Sequence, residues 1–176
     1  MDIFSAIEKR RSIRGYLSKE VEEEKIKKIL EAARLAPSAS NRQEWRFIIT
    51  KDKDKREALC KAAKNQGFVR EAPVVIACCA ETDNHIMSCG QLCYPIDVAI
   101  AIEHICLAAV ALGLGTCWIG AFYEEEVKRI LDIPSSVRVV ELLTLGYPKD
   151  GTRYPPKRLP LEKIVFKEMW GIPYYT

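Results

Sequence analysis

Five residues near the start of the chain, Arg10-Arg11-Ser12-Ile13-Arg14, put three guanidinium groups and a hydroxyl into one short segment. Arginine presents planar, permanently charged pairs of donors that match phosphate oxygens, and serine adds a neutral donor, so the segment suits a dianionic phosphate. A basic run this short also serves as a solvated patch or a nucleic-acid contact. A second basic segment, Arg153-Tyr154-Pro155-Pro156-Lys157-Arg158, offers another cationic arm near the other end, although basic residues beside prolines are ordinary loop material.

Two further segments suit a flat ligand. Ala36-Pro37-Ser38-Ala39-Ser40-Asn41-Arg42-Gln43 is dense in small hydroxyls and amides. Asn and Gln each carry a donor and an acceptor, which is what reading the edge of a heterocycle requires; the plain alternative is a helix-to-strand connection. In Gly113-Leu114-Gly115-Thr116-Cys117-Trp118-Ile119-Gly120 the glycines permit close approach of backbone to a planar group. It is not a dinucleotide fingerprint, because Trp118 stands where that motif needs glycine and a helix rather than a strand precedes it. A helix C-cap explains Gly113 or Gly115 but not Gly120.

No serine–histidine pair or metal cage accompanies these segments, so neither nucleophilic nor metal catalysis is expected. His104 lies in an apolar stretch, where a hydrogen-bonded core or interface imidazole is the expectation. His85 has Cys89 and Cys93 near it and Cys78-Cys79 before it; a metal or redox role for this group stands open beside the reading of ordinary buried thiols.

These segments must be held by a fold that the chain length limits to one core. With 176 residues, 48% of them apolar, a single domain over 1–176 is expected. A net charge of +3 gives no global pull toward nucleic acid or membrane. The start, Met1-Asp2-Ile3-Phe4-Ser5, lacks a secretion-signal design, and seven cysteines, an odd count, fit a reducing cytoplasm better than a disulfide framework.

Helices and strands alternate. Asp2 caps a helix through about Lys9, and a second helix starts at Ser18, with core stripe Ile26, Ile29, Leu30 and Ala33, and must stop at Pro37. Trp45 to Thr50 and Val74 to Ala80 read as strands, with a charged helix around Lys55 to Lys64 between them. From Ile96 to Leu112 apolar residues fall on nearly every face, as in a helix packed on all sides or shared between subunits. A short strand (Thr116 to Ile119), a helix (Glu124 to Leu131) and a strand (Val137 to Leu145) follow, then an aromatic tail ending in Tyr174-Tyr175 that needs burial on its own domain or across a second subunit.

In order and spacing the four segments together resemble the nitroreductase family of FMN-dependent oxidoreductases over essentially the whole chain. Arg10 to Arg14 resembles its N-terminal phosphate and flavin motif, Pro37-Ser38 through Asn41 with Gln43-Glu44-Trp45 its second motif, Trp118-Ile119-Gly120 its third, and Lys157-Arg158 its C-terminal phosphate clamp. The resemblance implies an α+β fold, a mostly antiparallel sheet flanked by helices, in an intertwined homodimer with FMN at the subunit interface. It implies that Arg10, Ser12 and Arg158 hold the phosphate and ribityl, with Arg14 near the pyrimidine end and Arg11 and Lys157 as further cofactor contacts. Pro37, Ser38 and Ala39 would come from the partner, Ile119 and Gly120 would face the reactive middle of the ring, and Asn41, Trp118 and Gln66 are further cofactor contacts. Glu44 replaces the proline usual before the tryptophan, which puts loop rigidity in question. The implied activity is hydride transfer from NADH or NADPH through FMN to nitroaromatic, quinone or similar small acceptors by ping-pong exchange. Reductive dehalogenation or flavin transformation on the same fold, and a non-catalytic basic nucleic-acid-binding module, are the competing readings.

Overall fold

The computed structural model describes residues 1–149 and 157–175. Helix α1 (Ile3–Lys9) begins at Asp2, whose carboxylate accepts from the Ser5 amide at 3.1 Å and the Ser5 hydroxyl at 2.6 Å, satisfying an amide that the first turn leaves open. Helix α2 (Glu23–Arg34) carries Ile26, Ile29 and Ala33 on its buried face, while Leu30 is only partly covered. It starts five residues later than the acidic run from Ser18 suggests. The reason lies in the backbone pairing just before it: Leu17 N–H donates to Tyr147 O at 2.9 Å, Lys19 N–H turns back to Leu17 O at 2.8 Å, and Val21 is buried, so this stretch is irregular chain before the helix begins. Glu23 and Glu24 then occupy the first turn, where negative charge is favoured.

Strand β1 (Trp45–Thr50), helices α3 (Lys53–Ala62) and α4 (Phe68–Glu71), strand β2 (Val74–Glu81), helix α5 (Cys93–Ala111), strand β3 (Gly115–Ile119), helix α6 (Glu124–Leu131) and strand β4 (Val137–Gly146) follow, with short 3-10 turns at Ala39–Asn41 and Leu161–Lys163. The four strands form one antiparallel sheet in the order β1-β2-β4-β3, with β3 at an edge. Residues Val74 through Ala80 are buried without interruption. Their alternation sends Val74, Ile76, Cys78 and Ala80 toward α2 and α5, and Val75, Ala77 and Cys79 toward α3 and α6, so helices cover both faces. Adjacent Cys78 and Cys79 thus enter different layers, each as a buried free thiol.

Helix α5 starts one turn earlier than the apolar run indicates, with Pro95 in its first turn where no amide donor is needed. It ends in a Schellman turn: Leu114 N–H reaches Ala109 O at 2.8 Å and Gly113 N–H reaches Val110 O at 3.1 Å, with Gly113 at φ +77. By length and composition α5 is apolar enough to cross a membrane, at mean hydropathy 1.6, yet half of it is buried in the fold. His104 fixes it to α2 through an Nδ1 contact of 3.0 Å with Ala32 O. The short helix α4 has no counterpart in the sequence pattern, since four residues carry too little periodicity to register.

Candidate functional site

The arginine segment emerges from the C-terminus of α1 and runs along the outer edge of β3. Ser12 bridges Thr116 in parallel, and Ile13 N–H donates to Thr116 O at 2.8 Å. Tyr16 locks the turn that follows, its hydroxyl donating to Ile13 O at 2.8 Å and sharing a 2.7 Å hydrogen bond with Thr144 Oγ1. The buried Tyr16 phenol is pushed well above its usual range by desolvation, so it stays neutral.

Arg10 is four-fifths covered, and its Nε lies 3.4 Å from Glu103 Oε1 on α5. Burial pushes Glu103 up and the Arg10 charge pulls it down, with burial prevailing. Arg14 stands over the Phe68 ring, 5.9 Å from its centroid. Gln66, just before α4, donates from Nε2 to Ala63 O at 3.1 Å and to Ala121 O at 3.4 Å, which ties its loop to the segment after β3. One wall therefore gathers Arg10, Ser12, Arg14, Gln66 and the run from Thr116 to Ala121. Arg11 is in the same segment, but its guanidinium turns back onto the Glu8 and Arg10 carbonyls at the end of α1.

Ile119 is buried on the α6 side of the sheet, and Gly120 is exposed. The Trp118 indole points to α5, where its N–H donates to Cys106 Sγ at 3.2 Å, and the partly buried ring packs against the core. A Cβ at Gly120 would meet only the Glu141 carboxylate, with Oε1 at 3.4 Å. Burial pushes Glu141 up to about 7. Thiols near the wall are poor nucleophiles: desolvation raises Cys106 to about 11 and also raises Cys117.

The loop from Pro37 to Gln43 is a separate construction. Ser40, Asn41 and Gln43 adopt φ of +49, +55 and +51, a region that costs non-glycine residues energy and must be enforced by neighbours. Three contacts enforce it. Ala39 N–H donates to both oxygens of buried Asp97 at 3.1 and 3.2 Å, Gln43 N–H donates to Ser38 Oγ at 3.0 Å, and Arg42 donates to Glu44 at 3.0 Å and Asp83 at 2.6 Å. Glu44, far from loosening the loop, is a buried acceptor that holds it. Pro37 and Asn41 stay exposed, Ser38 and Ala39 partly so.

Glu44, Cys93 and Asp97 form the metal-like grouping of the described residues, with ligand atoms within 4.8 Å of one another. Each already has a hydrogen-bond partner, Cys93 Sγ donating to Glu44 Oε2 at 3.5 Å, and the grouping acts as the anchor of the loop. The grouping of His85 with Cys78, Cys79, Cys89 and Cys93 does not form: Cys89 is exposed, and Cys93 is buried against Glu44. Lys157 and Arg158 are exposed, and among the described residues no hydrogen bond or ion pair joins them to Arg10 or Ser12. Arg153, Tyr154, Pro155 and Pro156 lie outside the described residues.

Sequence reasoning overlooked Asp97 as a loop anchor and Glu141 as a neighbour of Gly120. For Asp97 the signal was present: a carboxylate inside an otherwise apolar helix needs a partner. Gly115 has a role the sequence hid. A Cβ there would sit 2.5 Å from Ile13 Cγ1 and 3.0 Å from Pro148 Cγ. Gly115→Ala is therefore expected to push the arginine segment off β3 and to destabilise the fold by about 1–3 kcal/mol, as overpacking does; urea denaturation measures the loss, and an unchanged midpoint would contradict the close packing.

The nitroreductase family model matches residues 7–85 and 60–147 of the chain. A protein of Methanothermobacter thermautotrophicus with the provisional name NADH dehydrogenase/NAD(P)H nitroreductase is 38% identical, over 93% of this chain and 88% of its own. The NADH dehydrogenase of Thermus thermophilus is 34% identical, over 94% of this chain and 95% of its own. The solved structure of an FMN-dependent nitroreductase from Clostridium difficile R20291 superposes with a TM-score of 0.82 at 31% identity, over 94% of this chain and 99% of that one. The family model spans most of the chain, and these relatives match it over nearly their whole lengths: the chain belongs to the nitroreductase family.

Proposed function

We propose that the protein is an NAD(P)H-dependent FMN oxidoreductase of one nitroreductase-like domain, working as a homodimer on nitroaromatic, quinone or similar electron-poor small molecules by ping-pong exchange. The observation that carries this reading is the wall at the β3 edge, where Arg10, Ser12 and Arg14 stand beside Gln66 and the exposed Gly120. Its donors fit FMN: fixed cations and a hydroxyl for the phosphate and ribityl, a side-chain amide for the ring edge, and an exposed backbone at Gly120 that carries no side chain of its own. Arg10 and Ser12, joined by Lys157 and Arg158, hold the phosphate; Arg14 sets positive charge at the pyrimidine end. Ile119 and Gly120 present backbone to the ring. When bound, FMN accepts hydride from the nicotinamide and delivers it to the acceptor.

The homodimer reading rests on apolar surface. Helix α1 exposes Ile3, Phe4 and Ile7, and in the tail Met169, Ile172 and both terminal tyrosines are exposed, with Trp170 90% exposed. So large a set on one chain calls for a cover. A second copy supplies it, and brings the partner's Pro37–Asn41 loop to a wall that the loop of the same chain does not join. Seven free thiols accord with a reducing cytoplasm.

The test is purification with added FMN followed by NADH and NADPH oxidation assays with a quinone and a nitroaromatic. Retained flavin and acceptor-dependent oxidation are expected. A preparation that neither retains flavin nor oxidises either nucleotide contradicts the reading. Retained flavin with no turnover of nitro or quinone compounds would favour dehalogenation or flavin transformation, and salt-sensitive nucleic-acid binding without flavin would favour the basic module.

A further inference from the structure

Strand β4 carries one acid into the wall. The β2–β4 register pairs Cys78 with Glu141 and Cys79 with Val139, leaving Val140 as the extra residue of a bulge. Bulges bend a strand and re-aim the side chains beside them. Here the carboxylate of Glu141 arrives at the end of the neighbouring edge strand, where a Cβ on Gly120 would stand 3.4 Å from Oε1 and 3.7 Å from Oε2. A Cβ at 120 would thus lie in van der Waals contact with the carboxylate, which places Glu141 directly beside this position.

Two features separate Glu141 from the other acids of this face. It is half-buried, and among the described residues no hydrogen bond or ion pair reaches it, whereas Glu103 has Arg10 and Glu44 has Arg42. The titratable groups that couple to it are thiols, Cys78 on β2 and Cys117 on β3, both kept protonated by burial and both raised further by its charge. Arg14, a fixed cation of this wall, acts on Cys117. Desolvation without a compensating partner places the ionisation of Glu141 near neutrality.

We infer that Glu141 is a proton-coupling residue of the site: its carboxylate takes up one proton from water when negative charge arrives beside Gly120, and releases that proton when the charge leaves. The inference rests on the flavin reading above, which puts the reacting ring against Gly120. The balance is simple. A nicotinamide donates two electrons and one proton as hydride, and a quinone needs two electrons and two protons to become a hydroquinone. Glu141 holds the second proton between the two half-reactions, so that NAD(P)H, quinone and the protonated carboxyl give NAD(P)+, hydroquinone and carboxylate, and water restores the carboxyl.

The window follows from the sign of the shift. Below about pH 7 the carboxyl is already protonated before reduction. Above it, the proton is taken up with the electrons, and the equilibrium constant for reduction falls by a further tenfold per pH unit, about 30 mV for a two-electron couple. The experiment is a spectroelectrochemical titration of FMN-loaded wild type and Glu141→Gln between pH 6 and pH 9. Glutamine keeps the shape and cannot titrate. The wild-type potential is expected to fall more steeply than that of the variant above about pH 7, with equal slopes below it.

Unfolding of the two apoproteins by urea provides the control for folding. A carboxyl raised in the folded state contributes stability below its unfolded value that is lost as pH rises through the folded one, so Glu141→Gln is expected to be the more stable protein at pH 8 and to lose that advantage at pH 4. If both FMN-loaded proteins show the same slope throughout, the coupling role is overturned while the flavin reading stands. If wild type binds no FMN, the flavin reading falls and the inference with it. A variant that fails to fold despite the expected gain at pH 8 also overturns it, since Glu141 would then have a structural partner.

Discussion

Leu143→Ala is expected to destabilise the protein by about 2–5 kcal/mol, the usual range for emptying a leucine site in a packed core. Leu143 is fully buried on β4, paired in register with Ile76 on β2 and with Trp118 on β3, and it packs in the layer that α5 covers. Neighbours on the two flanking strands cannot close the space together without breaking the sheet, so the upper part of the range applies. The site is expected to feel the loss, because Trp118 fills the core beside it and fixes the backbone that leads to Gly120. Urea denaturation monitored by circular dichroism measures the effect; a loss below about 1 kcal/mol would contradict the packing described.

Arg14→Ala is expected to weaken FMN binding by about 1.5–3 kcal/mol, the range for a hydrogen bond to a charged group, which is roughly a 10–150-fold rise in dissociation constant. Arg14 makes no ion pair among the described residues and only brushes the Phe68 ring, so the fold has little use for its charge. Its removal should therefore leave the unfolding midpoint near wild type. Fluorescence titration of FMN with the two apoproteins gives the comparison, and equal affinities would contradict the placement of Arg14 at the flavin.

Much of the fold is written in local patterns. The uninterrupted apolar run of Val74 to Ala80 is a strand covered on both faces, and the all-round apolar character of residues 96–112 is the central helix. What local pattern misses is set by distant partners. Ser18 to Glu22 looks like a helix start because its acids suit one, yet the backbone of the preceding residue pairs with Tyr147, more than a hundred residues away. The site divides in the same way. Arg10, Ser12 and Arg14 are legible because guanidiniums and a hydroxyl announce anion chemistry by type alone. Arg11 has the same chemistry but is taken by the carbonyls of its own helix, which spacing does not disclose. Glu44 looks like a loss of rigidity from sequence, and only the arrival of Arg42 and Cys93 turns it into an anchor. Glu141 is invisible as a site residue because a bulge, not a motif, brings it to Gly120.

The division between wall and loop is also what the proposed homodimer rests on. The wall is built on α1, α4 and β3, and the loop on the N-terminal half of α5, each with its own anchors. Strain in the loop at Ser40, Asn41 and Gln43 is held by Asp97 and Glu44 whether or not a ligand is present, so the loop is preformed for what it meets.

A crystal structure of the protein grown with FMN tests the central claim most directly. The phosphate is expected between Arg10, Ser12 and Arg158, with the ring against Gly120 and Pro37 to Ala39 supplied by the second copy. Arg10 and Arg158 on unconnected surfaces, or flavin bound wholly within one subunit, would contradict it.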